Sequence, residues 1–270
     1  MQSPPAGDTL RHDATWQAAM EHRRPMDGRR SLLAFCAVSA IAGAILYRFP
    51  GIDLFFAGLF HDPGAGFPAA RDPDIRTLRR GFIWIGYAAF AGIALSVVCR
   101  HLWGRYLFGL TRRSICFIVV FSIVGPGVIV NNLLKDHWDR ARPRQIAEFG
   151  GDRVFTPPLI IADQCERNCS FVSGEAAYGF GYAALAFLVP LRLRRRVFWT
   201  AVGFGSAVGA VRMAMGAHFL SDVFFAAVLV IALAWYTHGA IVARGRLDGT
   251  MDRLADWLRI PRDPVPARQG

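Results

Sequence analysis

Lys135 and Arg142 are basic residues whose types and spacing suggest phosphate binding. Lys135 is the only lysine among the 31 Lys and Arg residues of the chain, and it opens an arginine-rich stretch that ends at Arg142 and Pro143. Lysine presents a compact point charge to a phosphate, whereas arginine presents a planar fork. Codon bias would also leave an isolated lysine, so the interpretation depends on which residues accompany Lys135.

A second candidate group is Ser173 and Gly174, which stand at the start of an apolar segment. Serine and glycine at a helix start offer a hydroxyl and unpaired backbone N–H groups, and the helix dipole favours an anion there. Taken alone, the same pair is more commonly a simple N-cap. The pair therefore supports a phosphate site only in combination with the basic residues.

The third group contains Arg212, His218 and Asp222. An imidazole four positions before a carboxylate lies on the same helical face, where the carboxylate fixes the imidazole tautomer and supports a developing positive charge. Separately, each of these residues is typical of a helix cap or a membrane edge. Together with Lys135 and Arg142 they predict phosphoryl transfer, with three cations around the phosphoryl oxygens, backbone donors from the Ser173 and Gly174 segment, and His218 attacking phosphorus.

The elements that must position these residues are predicted to be membrane helices. The chain is 53% hydrophobic and 19% charged, and its apolar residues fall in long blocks rather than in the pattern of a soluble core. About 20 apolar residues span a bilayer. We therefore predict an all-α polytopic protein, a bundle of six transmembrane helices over 31–47, 81–103, 114–134, 171–191, 197–215 and 222–242.

The arginines predict the orientation of this bundle. They cluster before the first block, after the sixth, and in every second connection. By the positive-inside rule, these connections and both termini are cytoplasmic. This placement accounts for the net charge of +11 without a nucleic-acid partner. The connections 48–80, 135–170 and 216–221 then lie outside, on the side where the candidate residues meet.

Three regions are predicted. Residues 1–28 form a disordered cytoplasmic tail, 29–243 form the six-helix membrane domain, and 244–270 form a cytoplasmic tail. This last tail contains a short amphipathic helix, which lies in the membrane interface or binds a partner. Its apolar face contains Leu247, Met251, Leu254 and Leu258, and the helix is ended by Pro261.

The outside connections leave two structural questions open. Residues 52–60 are apolar but too short to span a bilayer, so they form a lid or lipid-facing platform, or else a buried packing helix. Cys165 and Cys169 can form a small disulfide in an oxidising compartment. A metal site would need further ligands, and none is predicted. The remaining cysteines, Cys36, Cys99 and Cys116, are interpreted as packing residues.

The motifs resemble those of the type-2 phosphatidic acid phosphatase superfamily, over about residues 31–243. The first motif of that family is a lysine, six further residues and then Arg-Pro, which corresponds to Lys135, Arg142 and Pro143. The third motif corresponds to Arg212, His218 and Asp222, with Val211 in place of its serine. The second motif, Pro-Ser-Gly-His in the family, reads Val172, Ser173, Gly174 and Glu175 here.

The resemblance implies that Glu175 occupies the position of the general acid. In that role its carboxyl must be protonated, which burial or nearby negative charge favours. An ionised Glu175 would instead repel phosphate or bind an arginine. His137 is the alternative acid.

The resemblance further implies a phosphohistidine at His218, hydrolysed by water without a metal or other cofactor. The expected substrate is a lipid phosphate in the bilayer, with no nucleic acid and no obligatory protein partner. The segment 169–175 and the phenylalanine-rich first outer loop look most similar to those of bacterial lipid A phosphatases. Undecaprenyl diphosphate and phosphatidylglycerol phosphate are the alternative substrates. A non-catalytic lipid-phosphate binder is the alternative of another class. The expected location is the bacterial inner membrane, with the site facing the periplasm.

Overall fold

The computed structural model describes residues 28–104, 106–107 and 110–257, and these residues contain helices and turns but no strand. The all-α prediction is therefore confirmed. The tail predicted within 1–27, together with Leu258 and Pro261, lies outside the described residues. The α-helices are α1 (Gly28–Arg48), α2 (Gly51–Gly58), α3 (Pro73–Trp103), α4 (Arg112–Ser122), α5 (Gly174–Gly181), α6 (Leu191–Ala214), α7 (Leu220–His238) and α8 (Asp248–Trp257).

Five helical segments are long and apolar enough to cross a membrane. They are Ser31–Arg48, Pro73–Trp103, Arg112–Leu134, Leu191–Ala214 and Leu220–Ala243. On the first and second of these, many large apolar side chains are exposed, including Val38 and Trp84, each 67% exposed. Such continuous apolar surface is unfavourable in water and matches contact with lipid.

The segment predicted as the fourth span differs from a single long helix. It consists of the eight-residue α5 followed by a six-residue 3₁₀ helix, Tyr182–Phe187. These pieces extend about 24 Å, somewhat less than the hydrocarbon thickness of a bilayer. Three glycines in α5, which lower helix propensity, and a close approach to α6 explain the short helix.

The core of the bundle lies where α5 packs between α6 and α7. Ala176 and Ala177 are fully buried there, and Phe180 is nearly so. A Cβ added to Gly179 would lie 2.9 Å from the Cα of Gly205, so only glycine permits this approach of α5 to α6. The start of α5, which carries the second motif, is consequently fixed against the helices that carry the third.

The third span changes from α4 to a π-helix, Ile123–Leu134, before it reaches Lys135. Pro126 stands inside this segment and has no backbone N–H to donate, which disfavours regular α-helix. The Asn131 side-chain amide donates to the Pro126 carbonyl over 2.5 Å and satisfies this oxygen. The π-helix thus sets the direction in which Lys135 leaves the membrane helix.

The short helix α2 packs beneath the outside loops through one face. Asp53 and Ala57 are buried at 1% exposure, and Ala57 contacts a small apolar cluster that contains Phe219. Phe55 and Leu59 on the other face are more than 60% exposed. One face of residues 52–60 is therefore packed, as the packing interpretation predicts, and the exposed apolar face matches the lipid-facing platform rather than a detached lid.

The C-terminal helix predicted from apolar spacing is present as α8. Asp248 and Asp252 form ion pairs with Arg113 and Arg112 at the start of α4, the latter at 2.7 Å. Met251 is buried. The helix is thus attached to the end of the bundle that is predicted to be cytoplasmic.

Candidate active site

His218 lies in the short connection between α6 and α7, where its side chain is 1% exposed. Its Nδ1 is 2.8 Å from the Ser170 carbonyl oxygen. A carbonyl only accepts hydrogen bonds, so Nδ1 carries the proton and Nε2 keeps a free lone pair. Burial lowers the pKa of His218 to about 4. At neutral pH the imidazole is therefore uncharged and oriented as a nucleophile.

Asp222 does not form the direct hydrogen bond to His218 that the sequence predicts. Its Oδ2 lies 3.7 Å from His218 Nδ1, because this oxygen already accepts from the Ser170 hydroxyl at 2.5 Å and from the Phe219 N–H at 2.8 Å. Ser170 connects the two residues, since its hydroxyl donates to Asp222 and its carbonyl accepts from His218. Asp222 supports the imidazole through Ser170 and also caps α7.

A buried arginine, which sequence reasoning did not identify, holds the other oxygen of Asp222. Arg140 is completely buried, and its Nη1 donates to Asp222 Oδ1 at 2.6 Å. Its Nη2 donates to Asp53 Oδ2 at 2.8 Å, and its Nε donates to the Thr156 carbonyl at 2.9 Å. The guanidinium also lies 4.3 Å from the centre of the Phe219 ring.

Ser221 completes this buried cluster. Its hydroxyl accepts from Arg140 at 2.9 Å and donates to Asp53 at 2.5 Å, while its backbone N–H donates to the other Asp53 oxygen at 2.8 Å. Asp53 and Asp222 both pair with Arg140. Asp53 also accepts from Ser221, which precedes Asp222 in the first turn of α7. We call Asp53, Arg140 and Asp222 the buried triad. The triad connects α2 to Asp222, the carboxylate beside the predicted nucleophile.

Two of the predicted phosphate ligands are held by one residue of the outside loop. Lys135 Nζ donates to Asn168 Oδ1 at 3.0 Å, and Arg142 Nη2 donates to the Asn168 carbonyl at 2.5 Å. Burial, with the charges of Arg142 and Arg212 next, lowers the pKa of Lys135 to about 8. Lys135 thus remains mostly charged at neutral pH. Its charge and those of Arg142 and Arg212 repel one another, and a bound anion would relieve this repulsion.

Two polar atoms in this region are buried without a hydrogen-bond partner among the described residues. The two atoms are Ser173 Oγ and Arg212 Nε. Ser173 is 0% exposed and Arg212 is 7% exposed. Ser173 is the N-cap residue of α5, yet its hydroxyl does not cap the helix. Buried polar groups are normally paired. An anion at the start of α5 would satisfy both atoms.

Gly174 is required by the close approach of the third span. A Cβ at this position would lie 2.3 Å from Asn131 Oδ1 and 3.2 Å from Lys135 Cε. The backbone at the start of α5 therefore reaches the side of Lys135. The structure places Lys135 and Arg212 close enough for their charges to act on His218, and the Ser173 N–H donates to the Asp222 carbonyl at 3.1 Å.

Glu175 pairs with an arginine rather than lying free in the site. Arg79 of α3 donates from Nε to both Glu175 oxygens at 3.1 and 3.0 Å and from Nη2 to Oε1 at 2.6 Å. Arg212 Nε is 3.6 Å from the same Oε1. A carboxylate between two guanidinium groups is stabilised in its ionised form. The geometry thus favours arginine binding over the protonated carboxyl that a general acid requires.

His137 also does not take the place of the acid in this structure. Its side chain is exposed, and its Nδ1 bonds the Leu133 carbonyl at 2.9 Å, within its own turn. Sequence reasoning missed Arg79, because residue 79 lies 96 positions before Glu175 and no motif connects them.

The pairing leads to a prediction for Glu175→Gln. We expect kcat to stay within about threefold of wild type, because glutamine keeps a hydrogen bond to Arg79 and no proton donor is lost; removal of a general acid costs about 10² to 10⁴ in rate. Arg79→Met is expected to raise KM, since the unpaired carboxylate then draws on Arg212 and repels phosphate. Steady-state phosphate release measures both effects.

The control is the double variant Arg79→Met/Glu175→Gln, in which no unpaired carboxylate remains. Its KM should return toward the wild-type value. If Glu175→Gln alone lowers kcat by about two orders of magnitude or more, that result would contradict the ion-pair interpretation and restore the general-acid role.

The predicted cysteine pair is joined in the structure. Cys165 and Cys169 form a disulfide with a Cα–Cα distance of 5.7 Å. The bond closes the turn that contains Asn168, whose φ of +52° lies in the left-handed region. Two backbone bonds, from Cys169 to the Lys135 carbonyl and from Ser170 to the Arg140 carbonyl, attach this turn to the first motif.

Comparisons with known proteins give one family. The family model described as PAP2 superfamily matches residues 113–246. A lipid A 4′-phosphatase of Francisella tularensis subsp. novicida is 38% identical over 70% of this chain and 86% of its own length. A lipid A 4′-phosphatase of Rhizobium etli is 33% identical over 67% of this chain and 75% of its own length. No solved structure gives a significant match.

Proposed function

The chain belongs to the PAP2 superfamily, which confirms the resemblance found in its motifs, and from this premise we propose that it removes the 4′-phosphate of lipid A. It is a membrane phosphatase, and the similarity to two lipid A 4′-phosphatases supports this lipid over undecaprenyl diphosphate or phosphatidylglycerol phosphate. The same similarity favours an enzyme over a non-catalytic binder. The substrate is then a phosphomonoester of a sugar, and the transferred group is its phosphoryl group.

The observation that carries the proposed chemistry is the orientation of His218. Its Nδ1 is fixed by the Ser170 carbonyl at 2.8 Å, so Nε2 is available to form a bond to phosphorus. As this bond forms, the bond from phosphorus to the sugar oxygen breaks, and the oxygen leaves with a proton from water. Water then attacks the phosphohistidine and the N–P bond breaks. Inorganic phosphate is released, and the neutral imidazole is regenerated.

The cations stabilise the charge that develops on the phosphoryl oxygens. Lys135, Arg142 and Arg212 lie near the start of α5. Ser173 Oγ and Arg212 Nε have no hydrogen-bond partner there among the described residues, and Arg212 Nε has only its 3.6 Å ion pair with Glu175. Fixed charges and donors aimed at a developing charge in a site with little water are the largest contribution in many enzymes. In the proposed reaction these side chains bind the phosphoryl oxygens, and no step uses a metal.

The orientation in the membrane is part of the proposal. The arginine-rich connections and both termini are placed in the cytoplasm, and the site lies at the periplasmic edge of the inner membrane. In this arrangement α2 and the loop 135–170 lie on the periplasmic side, where the Cys165–Cys169 disulfide is chemically favoured.

The test uses purified full-length protein and lipid A that carries both phosphates. Mass spectrometry should show the loss of one phosphate, and fragmentation should locate the loss on the 4′ sugar rather than on the 1 position. Undecaprenyl diphosphate and phosphatidylglycerol phosphate are offered in parallel under the same conditions. Turnover of either one in preference to lipid A would contradict the proposed substrate.

A further inference from the structure

A polar cavity of about 510 Å³, widely open at the protein surface, lies beside Lys135 at the outer end of the third span. It is lined by three amides, two cations and one carboxylate: Asn131, Asn132, Asn168, Lys135, Arg167 and Asp136. Sites for small ligands commonly have volumes of about 300–1,000 Å³. The cavity is therefore large enough for a sugar ring, and its lining is much more polar than the surrounding helix surface.

The cavity is continuous with the phosphate site. Lys135 belongs to both, and its Nζ is bonded to Asn168 Oδ1 at 3.0 Å. Asn131 Oδ1 lies against Gly174 at the start of α5, as close as 2.3 Å to the position a Cβ would occupy. A phosphate held by Lys135 at the start of α5 consequently places the group that carries it next to the amides.

The cavity wall is fixed before any ligand binds. The Cys165–Cys169 disulfide closes the turn that presents Arg167 and Asn168. The Asn168 carbonyl accepts from Arg142 at 2.5 Å, and its N–H donates to Asp136 at 3.4 Å. Since the wall is already ordered, binding requires little further loss of conformational entropy.

The position relative to the membrane fits an amphiphile. Asn132 is exposed and is followed by Leu133, which is 52% exposed on the surface of a predicted span. Apolar side chains below and polar side chains above mark the level of the lipid head groups. A lipid whose acyl chains lie along Leu133 would have its polar head in the cavity.

We propose that this cavity binds the sugar ring that carries the phosphate to be removed. Amide groups both donate and accept hydrogen bonds, which matches sugar hydroxyls and the amide linkages of an amino sugar. Arg167 and Asp136 add one cation and one carboxylate at the rim. A glycerol phosphate offers fewer such groups to the amides of the cavity. This inference rests on the proposed function, because it assigns the sugar of that substrate to named residues.

The test is the double variant Asn132→Ala/Arg167→Gln of the full-length protein, with lipid A as substrate. We expect KM to rise about tenfold while kcat stays within about twofold, because the sugar contacts are made equally in the ground state and the transition state. Arg153→Gln is the matched control. Arg153 lies in the same outside loop, does not line the cavity, and should leave both constants unchanged.

The outcomes separate this inference from the proposed function. Wild-type protein that releases no phosphate from lipid A would overturn the proposed function, and the inference with it. Wild-type activity combined with an unchanged KM in the double variant would overturn the inference alone. A fall in kcat at constant KM would also overturn it, since that result describes damage to the reacting groups. The conservative variant Arg167→Lys, which keeps the charge, should show a smaller rise in KM than Arg167→Gln.

Discussion

His218→Ala is expected to reduce phosphate release from lipid A by at least about 10³-fold, because removal of a nucleophile eliminates the covalent route. The side chain is 1% exposed, and its Nδ1 has a defined partner, so the lone pair on Nε2 is the reactive position that the structure offers. The measurement is single-turnover phosphate release by purified protein in detergent micelles.

The covalent intermediate itself can be tested in the same preparation. Wild-type protein is mixed with lipid A that is radiolabelled in its phosphate and is quenched within one turnover. The protein should carry label that is stable in alkali and is lost in acid, as expected of phosphohistidine. The His218→Ala variant should carry none. Retention of label in this variant would place the nucleophile elsewhere.

His137→Ala is the matched control, because His137 is a second histidine near the first motif. Its ring is exposed and bonded to the Leu133 carbonyl within its own turn. We expect activity close to wild type. Loss of activity comparable to that of His218→Ala would contradict the assignment of the nucleophile and give His137 a direct role.

Hydropathy and motif spacing were sufficient for the fold class, and the site residues that they select remain a prediction. Membrane spans can be recognised in a sequence as runs of about 20 apolar residues, because the thickness of the bilayer sets their length. The predicted phosphate chemistry would account for the residue types at Lys135, Arg142, Arg212 and His218. The exception was the segment 171–191, where glycine content and tight packing against α6 produced a shorter helix than hydropathy predicts.

The supporting contacts could not be predicted, because they join residues that are distant in the chain. Arg140 and Asp53 are 87 positions apart, and no periodicity relates α2 to the loop that contains Arg140. A signal was nevertheless present. Asp53 is the one carboxylate in the apolar run 52–60, and an acidic residue in such a run needs a cation when it is buried.

The carboxylate of Asp222 illustrates why a correct motif is not a complete geometry. The spacing to His218 predicts a contact, and the distance of 3.7 Å shows that the two residues are neighbours. Both oxygens of Asp222 are nevertheless occupied by Ser170, Phe219 and Arg140. Its negative charge is therefore paired with a buried guanidinium, and it reaches the imidazole through Ser170, so the position of Arg140 belongs to the geometry of the candidate site.

Arg140→Met is expected to destabilise the protein by about 3–5 kcal/mol, because it leaves Asp53 and Asp222 buried without their common cation. For a chain of this size the loss corresponds to a fall in Tm of about 10 °C. Activity should fall as well, since Asp222 would lose the bond that holds it between Ser170 and the start of α7. Thermal unfolding in detergent, followed by intrinsic fluorescence, measures the first effect.

Two further variants separate loss of the cation from loss of packing. Arg153→Met removes an exposed arginine, whose ion pair with Asp152 is 3.6 Å long, and should change stability by less than about 1 kcal/mol. Arg140→Met/Asp53→Asn removes one of the two uncompensated carboxylates and should recover part of the lost Tm. If the double variant unfolds at the same temperature as Arg140→Met, the repulsion between Asp53 and Asp222 is not what destabilises the single variant. The coupling of α2 to the nucleophile through the buried triad would then lack its electrostatic basis.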